Sequence, residues 1–293
     1  MYYHISHSIA HTFDRPVLLH PHLIRLRPRS DGWLCNFSLH VDPKPLDIAQ
    51  IIDLDGNAIV KLWFEKPITE LQCTTNAQVE TCQLNPFDYQ LEPWALKLPI
   101  DYPSSLLAQL HPYLQPYAAI FDPSSIELAR DIYQKVDGKT TSFLGKLNQH
   151  LQKVCKPIIG DRSESWLPGV TWKAQRGSAR DIAVLFMEVC RAMGLAARFV
   201  SGYQEGSSER ENSTLHAWVE VYLPGAGWRG YDPTQGLAVS DSYVALAASA
   251  FPQYTAPIEG DYIPSDLIQE KGKLVQCRID STLFFQAKQG ISD

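Results

Sequence analysis

Gly177-Ser178-Ala179-Arg180-Asp181, running into Ile182 through Met193 and closed by Gly194, decides how this chain is read. Ile182, Ala183, Leu185, Phe186, Val189, Cys190 and Met193 recur at helical spacing, and Gly194 stands where a helix stops. Ser178 and Asp181 lie three apart in a capping-box arrangement, which makes Ala179 the first helical residue. A side chain at that point sits over unpaired backbone N–H groups at the positive end of the helix dipole. A thiol there would have its pKa lowered toward the reactive thiolate, and the same amides could hold an oxyanion. The residue is alanine, which can form no covalent bond to a substrate but keeps its backbone N–H. Ser178 is the alternative nucleophile, but a cap hydroxyl is aimed at the helix backbone. Cys190 lies on the apolar face, where core packing explains it.

Downstream, His216 opens the strand His216 to Leu223, Pro224-Gly225-Ala226-Gly227 makes a tight turn, and Trp228 to Tyr231 returns toward Asp232-Pro233-Thr234. Two antiparallel strands joined there place His216 near Asp232, because both stand at the end away from the turn. Asp232 can then accept the imidazole N–H and fix its tautomer, leaving the other nitrogen to face position 179. Glu220 shares the register of His216 and Trp218 and is expected to line that face. Between the helix and His216 lies Arg198-Phe199-Val200-Ser201-Gly202-Tyr203, then a polar loop, Gln204 to Leu215. The loop is read as a solvated flap or as a contact for a charged peptide.

The 293 residues are enough for two domains, expected at 1–95 and 96–293. The first is β-rich. Cys35 to Val41 and Leu71 to Val79 alternate with period two, and Asp55-Gly56-Asn57 turns between Ile51 to Leu54 and Ala58 to Phe64. Arg25, Arg27 and Arg29 recur at spacing two and are expected to share a strand face. His4, His7 and His11 are read as ordinary strand histidines and not as metal ligands. Prolines 86, 93, 99 and 103 mark the junction. Helices are expected over Pro103 to Leu110, from Asp122-Pro123 to Gly138, and around Phe143 to Val154. Leu274 to Ala287 reads as a strand completing the second domain's sheet. A net charge of −6 speaks against nucleic acid as the main partner. No run of about 18 apolar residues suggests a membrane span, and the N-terminus lacks the pattern of a signal peptide. Six scattered cysteines without a metal-type spacing suit free thiols in a reducing cytoplasm, the expected location.

Together these segments resemble bacterial transglutaminase-like cysteine proteases. The resemblance rests on Gly177 to Asp181, Cys190-Arg191-Ala192-Met193-Gly194, Ala197 to Tyr203, His216-Ala217-Trp218 and Asp232-Pro233-Thr234. It extends to His22-Leu23-Ile24-Arg25-Leu26-Arg27-Pro28-Arg29 and Asp53-Leu54-Asp55-Gly56-Asn57. It implies an α+β fold: a β-sandwich-like N-terminal domain, then a papain-like core with helices packed on an antiparallel sheet. It implies a Cys-His-Asp triad, with Ala179 at the nucleophile position, His216 as base and Asp232 as its orienter. The backbone N–H of Ala179 would serve the oxyanion, with Trp172 or Trp166 as candidates for a second donor. Trp172, Ser178, Trp218 and Tyr203 are the expected substrate contacts. The implied activity is hydrolysis of a peptide or isopeptide bond through a thioester, without metal or organic cofactor. The partner would be a peptide or isopeptide, such as a charged or branched polymer of the arginine-bearing cyanophycin type. With Ala179 the chain is expected to be inactive, by a deliberate Cys→Ala change or as a natural peptide-binding relative. The intact remainder of the motif favours the first. Transamidation shares the same chemistry and is the other alternative. The oligomeric state stays open.

Overall fold

The computed structural model describes residues 1–29, 33–158, 165–205, 215–265 and 275–288. The chain opens with six strands: β1 (Tyr2–Leu19), β2 (His22–Ile24), β3 (Trp33–Asp42), β4 (Asp47–Ile52), β5 (Ala58–Trp63) and β6 (Ile68–Glu80). In β1 the odd-numbered Tyr3, Ile5, His7 and Ile9 are buried, and β6 buries Leu71, Cys73, Thr75, Ala77 and Val79. A period of two puts each set on one face, where Ile24, Val60 and Leu62 of the facing sheet, and Leu26 just beyond it, meet them.

The middle of the chain is helical: α1 (Ser104–Leu110), α2 (Pro123–Lys135) and α3 (Thr140–Val154). The Asp122 carboxylate accepts from the backbone N–H groups of Ser124 and Ser125, with Pro123 in the first turn, as the Asp-Pro pair predicts. A short parallel pair follows, β7 (Lys156–Pro157) with β8 (Arg176–Gly177), enclosing α4 (Pro168–Ala174). Next come α5 (Ala179–Ala192), β9 (Ala197–Gln204), β10 (His216–Leu223), β11 (Gly227–Asp232), β12 (Leu237–Ala238) and β13 (Tyr243–Ser249). These strands form one antiparallel sheet in the order β12-β11-β10-β9-β13. Ile182 through Val189 of α5 are all buried, because the helix lies between this sheet and the preceding helices. Every residue from Ala197 to Tyr203 in β9 is buried, so both faces of the sheet centre are covered.

The chain then returns to its beginning. Strand β14 (Ile258–Glu259) pairs with β2, and β15 (Tyr262–Pro264) with the end of β1. Strand β16 (Cys277–Lys288) runs antiparallel to β1 from Tyr2 to Phe13. The C-terminal strand expected to complete the second sheet therefore extends the first one. Its alternation of buried Leu283 and Phe285 with exposed Phe284 suits a half-covered sheet edge. The three arginines also differ from expectation. The extended strand stops at Ile24, so they separate: Arg25 pairs with Glu259 at 2.6 Å, Arg27 stacks over Phe37, and Arg29 bonds Asn57.

The two units are joined by buried polar contacts. His7 bonds the Tyr203 hydroxyl at 3.1 Å and Ser281 Oγ at 2.9 Å, and its burial pushes its pKa down to about 4. Asn57, fully buried, donates from Nδ2 to the carbonyl of Ala248 and accepts from the Ala248 N–H, each at 2.9 Å. The Asp53–Asn57 turn thus docks a side-chain amide onto β13 as a strand backbone would.

Candidate active site

The start of α5 is held without help from residue 179. The Ser178 side chain accepts from the Asp181 N–H, and the Asp181 carboxylate accepts from the Ser178 N–H at 2.8 Å, a complete capping box. Asp181 also accepts from Ser178 Oγ at 2.8 Å and from the Trp166 N–H at 2.7 Å, tying the segment before α4 to the helix start. Gly177 is required here: a Cβ would stand 2.8 Å from Cβ of Asp181. Ser178 is thereby accounted for as the cap, its hydroxyl engaged by Asp181 on both sides. Ala179, partly buried, packs on the apolar cluster that contains Ala217, the neighbour of His216. Cys190 is fully buried, and desolvation raises its pKa well above the thiol range, which makes it a core residue.

The pairing of His216 with Asp232 is assembled by strand register. Val219 faces Tyr231 across β10 and β11, so His216 and Asp232 fall together beyond the last paired residues. His216 Nε2 lies 2.6 Å from Asp232 Oδ2. A carboxylate can only accept, so Nε2 carries the proton and Nδ1 is the nitrogen left over. The His216 side chain is 12% exposed, whereas Asp232 is fully buried. Asp232 is also held by Thr234, whose N–H and Oγ1 donate to Oδ1 at 2.9 and 2.6 Å, and by the Gln235 N–H at 3.2 Å. The Tyr243 hydroxyl donates to Oδ2 at 2.9 Å. Burial opposes the charge, yet the bonds from His216, Thr234 and Tyr243 outweigh it and hold the carboxyl below its usual pKa.

The expected substrate contacts divide. Trp172 is partly exposed on α4 with its ring 5.8 Å from that of His150. Trp166, also partly exposed, enters the site region through its backbone N–H on Asp181. Tyr203 and Trp218 are each only 1% exposed, which corrects their assignment. Tyr203 packs in the sandwich core, and Trp218 packs with Val200, Tyr243 and Ala248. With both faces of the sheet covered, a strand aromatic becomes core whichever way it points. Gly202 lets the Trp218 ring in, since a Cβ there would meet Cη2 at 2.5 Å and the Val244 carbonyl oxygen at 2.3 Å. Glu220 forms a buried ion pair with its cross-strand partner Arg198, Oε2 to Nη2 2.6 Å, and Arg198 stacks over Trp228. Of the loop from Gln204 to Leu215, residues 206–214 lie outside the described residues.

Sequence reasoning missed Tyr243. It stands eleven residues after Asp232, on a strand that pairs with β9 and not with β11. Thr234 was readable in principle, because a hydroxyl two residues after an aspartate commonly closes a local turn.

The family model of the bacterial transglutaminase-like N-terminal region matches residues 3–80, and that of the transglutaminase-like superfamily matches 126–233. An uncharacterised protein of Mycobacterium leprae is 24% identical over 274 residues, covering 88% of this chain and 92% of its own length. A protein-glutamine gamma-glutamyltransferase of Pseudomonas aeruginosa is 42% identical over 57 residues, 17% of this chain and 8% of that protein. The crystal structure of a proposed cysteine protease from Cytophaga hutchinsonii matches with a TM-score of 0.71 at 17% identity, over 99% of this chain and 92% of that one. That likeness establishes a shared fold. No described helix is long and apolar enough to cross a membrane. One family model lies on the sandwich and the other spans Ala179, His216 and Asp232, so residues 126–233 form a core of the transglutaminase-like superfamily.

Proposed function

We propose that this chain carries the site of a transglutaminase-like cysteine peptidase or amidase whose nucleophile position holds Ala179. In this form it binds a peptide or isopeptide without cleaving it. The observation that supports this most is the His216–Asp232 pair at 2.6 Å, with Nδ1 left over, on a strand that packs against α5, the helix whose cap is complete without residue 179.

With cysteine at 179, His216 Nδ1 takes the thiol proton, and the sulfur attacks the amide carbon. The backbone N–H of residue 179, at the positive end of α5, stabilises the oxyanion. The C–N bond breaks as His216 returns the proton to the leaving amine, giving a thioester. Water then gives its proton to Nδ1 and attacks the thioester, releasing a carboxylic acid and the thiol. Asp232 keeps Nε2 protonated throughout, so Nδ1 is the nitrogen that gains and loses the proton. An amine in place of water gives transamidation by the same steps.

The test is Ala179→Cys. The variant is expected to react with iodoacetamide at residue 179, to form a thioester with an activated ester, and to hydrolyse members of a peptide and isopeptide panel. The unaltered chain should bind the same members without turnover. A folded variant with an accessible thiol and no turnover across the panel removes the peptidase assignment. Product with an added amine replaces hydrolysis by transamidation.

A further inference from the structure

Tyr243 stands where the sandwich and the base end of the site meet. Its hydroxyl donates to Asp232 Oδ2 at 2.9 Å, the same oxygen that accepts from His216, and accepts from Gln204 Nε2 at 3.3 Å. Its ring packs edge-on against Trp218, with centroids 5.4 Å apart. Burial, reinforced by the Asp232 charge, raises the phenol above its ordinary pKa, so it keeps its proton and donates. The strand that carries it, β13, is fastened to the N-terminal unit at three points. The Arg29 N–H donates to the Ala245 carbonyl at 2.8 Å, Asn57 brackets Ala248, and Thr81 Oγ1 donates to the Asp241 carbonyl at 2.7 Å, just before the strand begins. The chain from the sandwich to the imidazole is continuous: Asn57, β13, Tyr243, Asp232, His216.

We infer that Tyr243 is a positioning residue, through which the N-terminal unit fixes the Asp232 carboxylate and hence the orientation of His216. This rests on the proposed roles of His216 and Asp232. It gives the sandwich a task in the site although it contributes none of the proposed reacting groups. A hydroxyl donated to the shared oxygen restrains the carboxylate from rotating about its Cβ–Cγ bond, while Thr234 holds the other oxygen.

The test reads His216 directly in the unaltered chain and its variants by two-bond 1H–15N correlation. The native chain should show the Nε2–H tautomer with a slowly exchanging proton. In Tyr243→Phe, losing one hydrogen bond to the carboxylate should speed that exchange about tenfold and mix the tautomers. In the Ala179→Cys background, Tyr243→Phe should lower kcat about tenfold with KM unchanged. Asn57→Ala, made in the N-terminal unit, should move the His216 signals in the same direction by less. A native His216 signature in folded Tyr243→Phe overturns the proposal, and one in Asn57→Ala overturns the link to the sandwich. If Tyr243→Phe does not fold, 3-fluorotyrosine incorporation acidifies the phenol with the ring kept; an unmoved Nε2 proton then overturns it. Perturbed His216 signals beside an Ala179→Cys chain without turnover refute the hydrolase assignment alone. Turnover beside unmoved signals refutes the role of Tyr243 alone.

Discussion

The two ends of the site are built in opposite ways. At the base end, Asp232 accepts from His216, Tyr243, Thr234 and Gln235, all converging on a carboxylate with no exposure. At the nucleophile end, the helix start is secured by Ser178, Asp181 and the Trp166 N–H, and residue 179 supplies only a methyl group and its backbone. The side chain at 179 is separable from the scaffold, whereas at 232 it is the scaffold. That is why the proposed site can hold alanine at 179 while the capped helix start and the His216–Asp232 pair stay in place.

Asp232→Asn breaks the comparison most sharply. In the Ala179→Cys background it should lower turnover by about 10²–10⁴, because an amide no longer enforces the imidazole tautomer. It should also cost about 1–3 kcal/mol of stability, since one of its buried donors faces the amide NH₂ in place of an oxygen. Ala179→Cys itself should change stability by less than about 0.5 kcal/mol. Urea unfolding of the two single variants decides the matter: equal losses would mean that position 179 is structural after all.

The scaffold behind the base end has a pH signature. His7 is buried against Tyr203 on β9 and held neutral, with its pKa lowered from 6.5 to about 4. The unfolded chain takes up this proton below pH 6.5 and the native chain only near pH 4. Stability should therefore fall as pH drops through that window, by on the order of 3 kcal/mol from this group, and His7→Gln should remove that share, leaving the part due to His22 and His150, whose pKa burial also lowers. Asp232 acts lower. Its depressed pKa contributes stability above the ordinary carboxylate range, which is lost as pH falls through its native value. Asp232→Asn should flatten the unfolding curve only below about pH 4. A slope left unchanged by His7→Gln between those limits would assign the effect to other buried groups.

What the sequence made legible follows the same divide. The capping box, the helix ending at Gly194 and the turn between β10 and β11 are local, and spacing alone put Ala179 at the helix start and His216 next to Asp232. Contacts that depend on which strands become neighbours were not legible. Tyr243 reaches Asp232 only because β13 pairs with β9. Strand β16 joins the first sheet and not the second, a choice hidden from the sequence because alternation shows that a strand is half-buried, not which edge it joins. Tyr203 and Trp218 look like cleft aromatics because they flank the motif, and only the covering of both sheet faces makes them core.

Ser178→Ala has a small expected effect on turnover and sharpens the nucleophile end. It removes the hydroxyl that caps α5 and should cost about 1 kcal/mol. The Asp181 carboxylate still accepts from the Ser178 and Trp166 backbone N–H groups, so the helix start should keep its place. Asp181→Ala should cost more, because it leaves both N–H groups without an acceptor. In the Ala179→Cys background, Ser178→Ala should leave the His216 tautomer unchanged and reduce alkylation at 179 only modestly. A loss of alkylation as large as that in Asp181→Ala would show that the hydroxyl takes part in activating the thiol. The difference between the variants thus measures whether the cap only holds the helix or also tunes the residue above it.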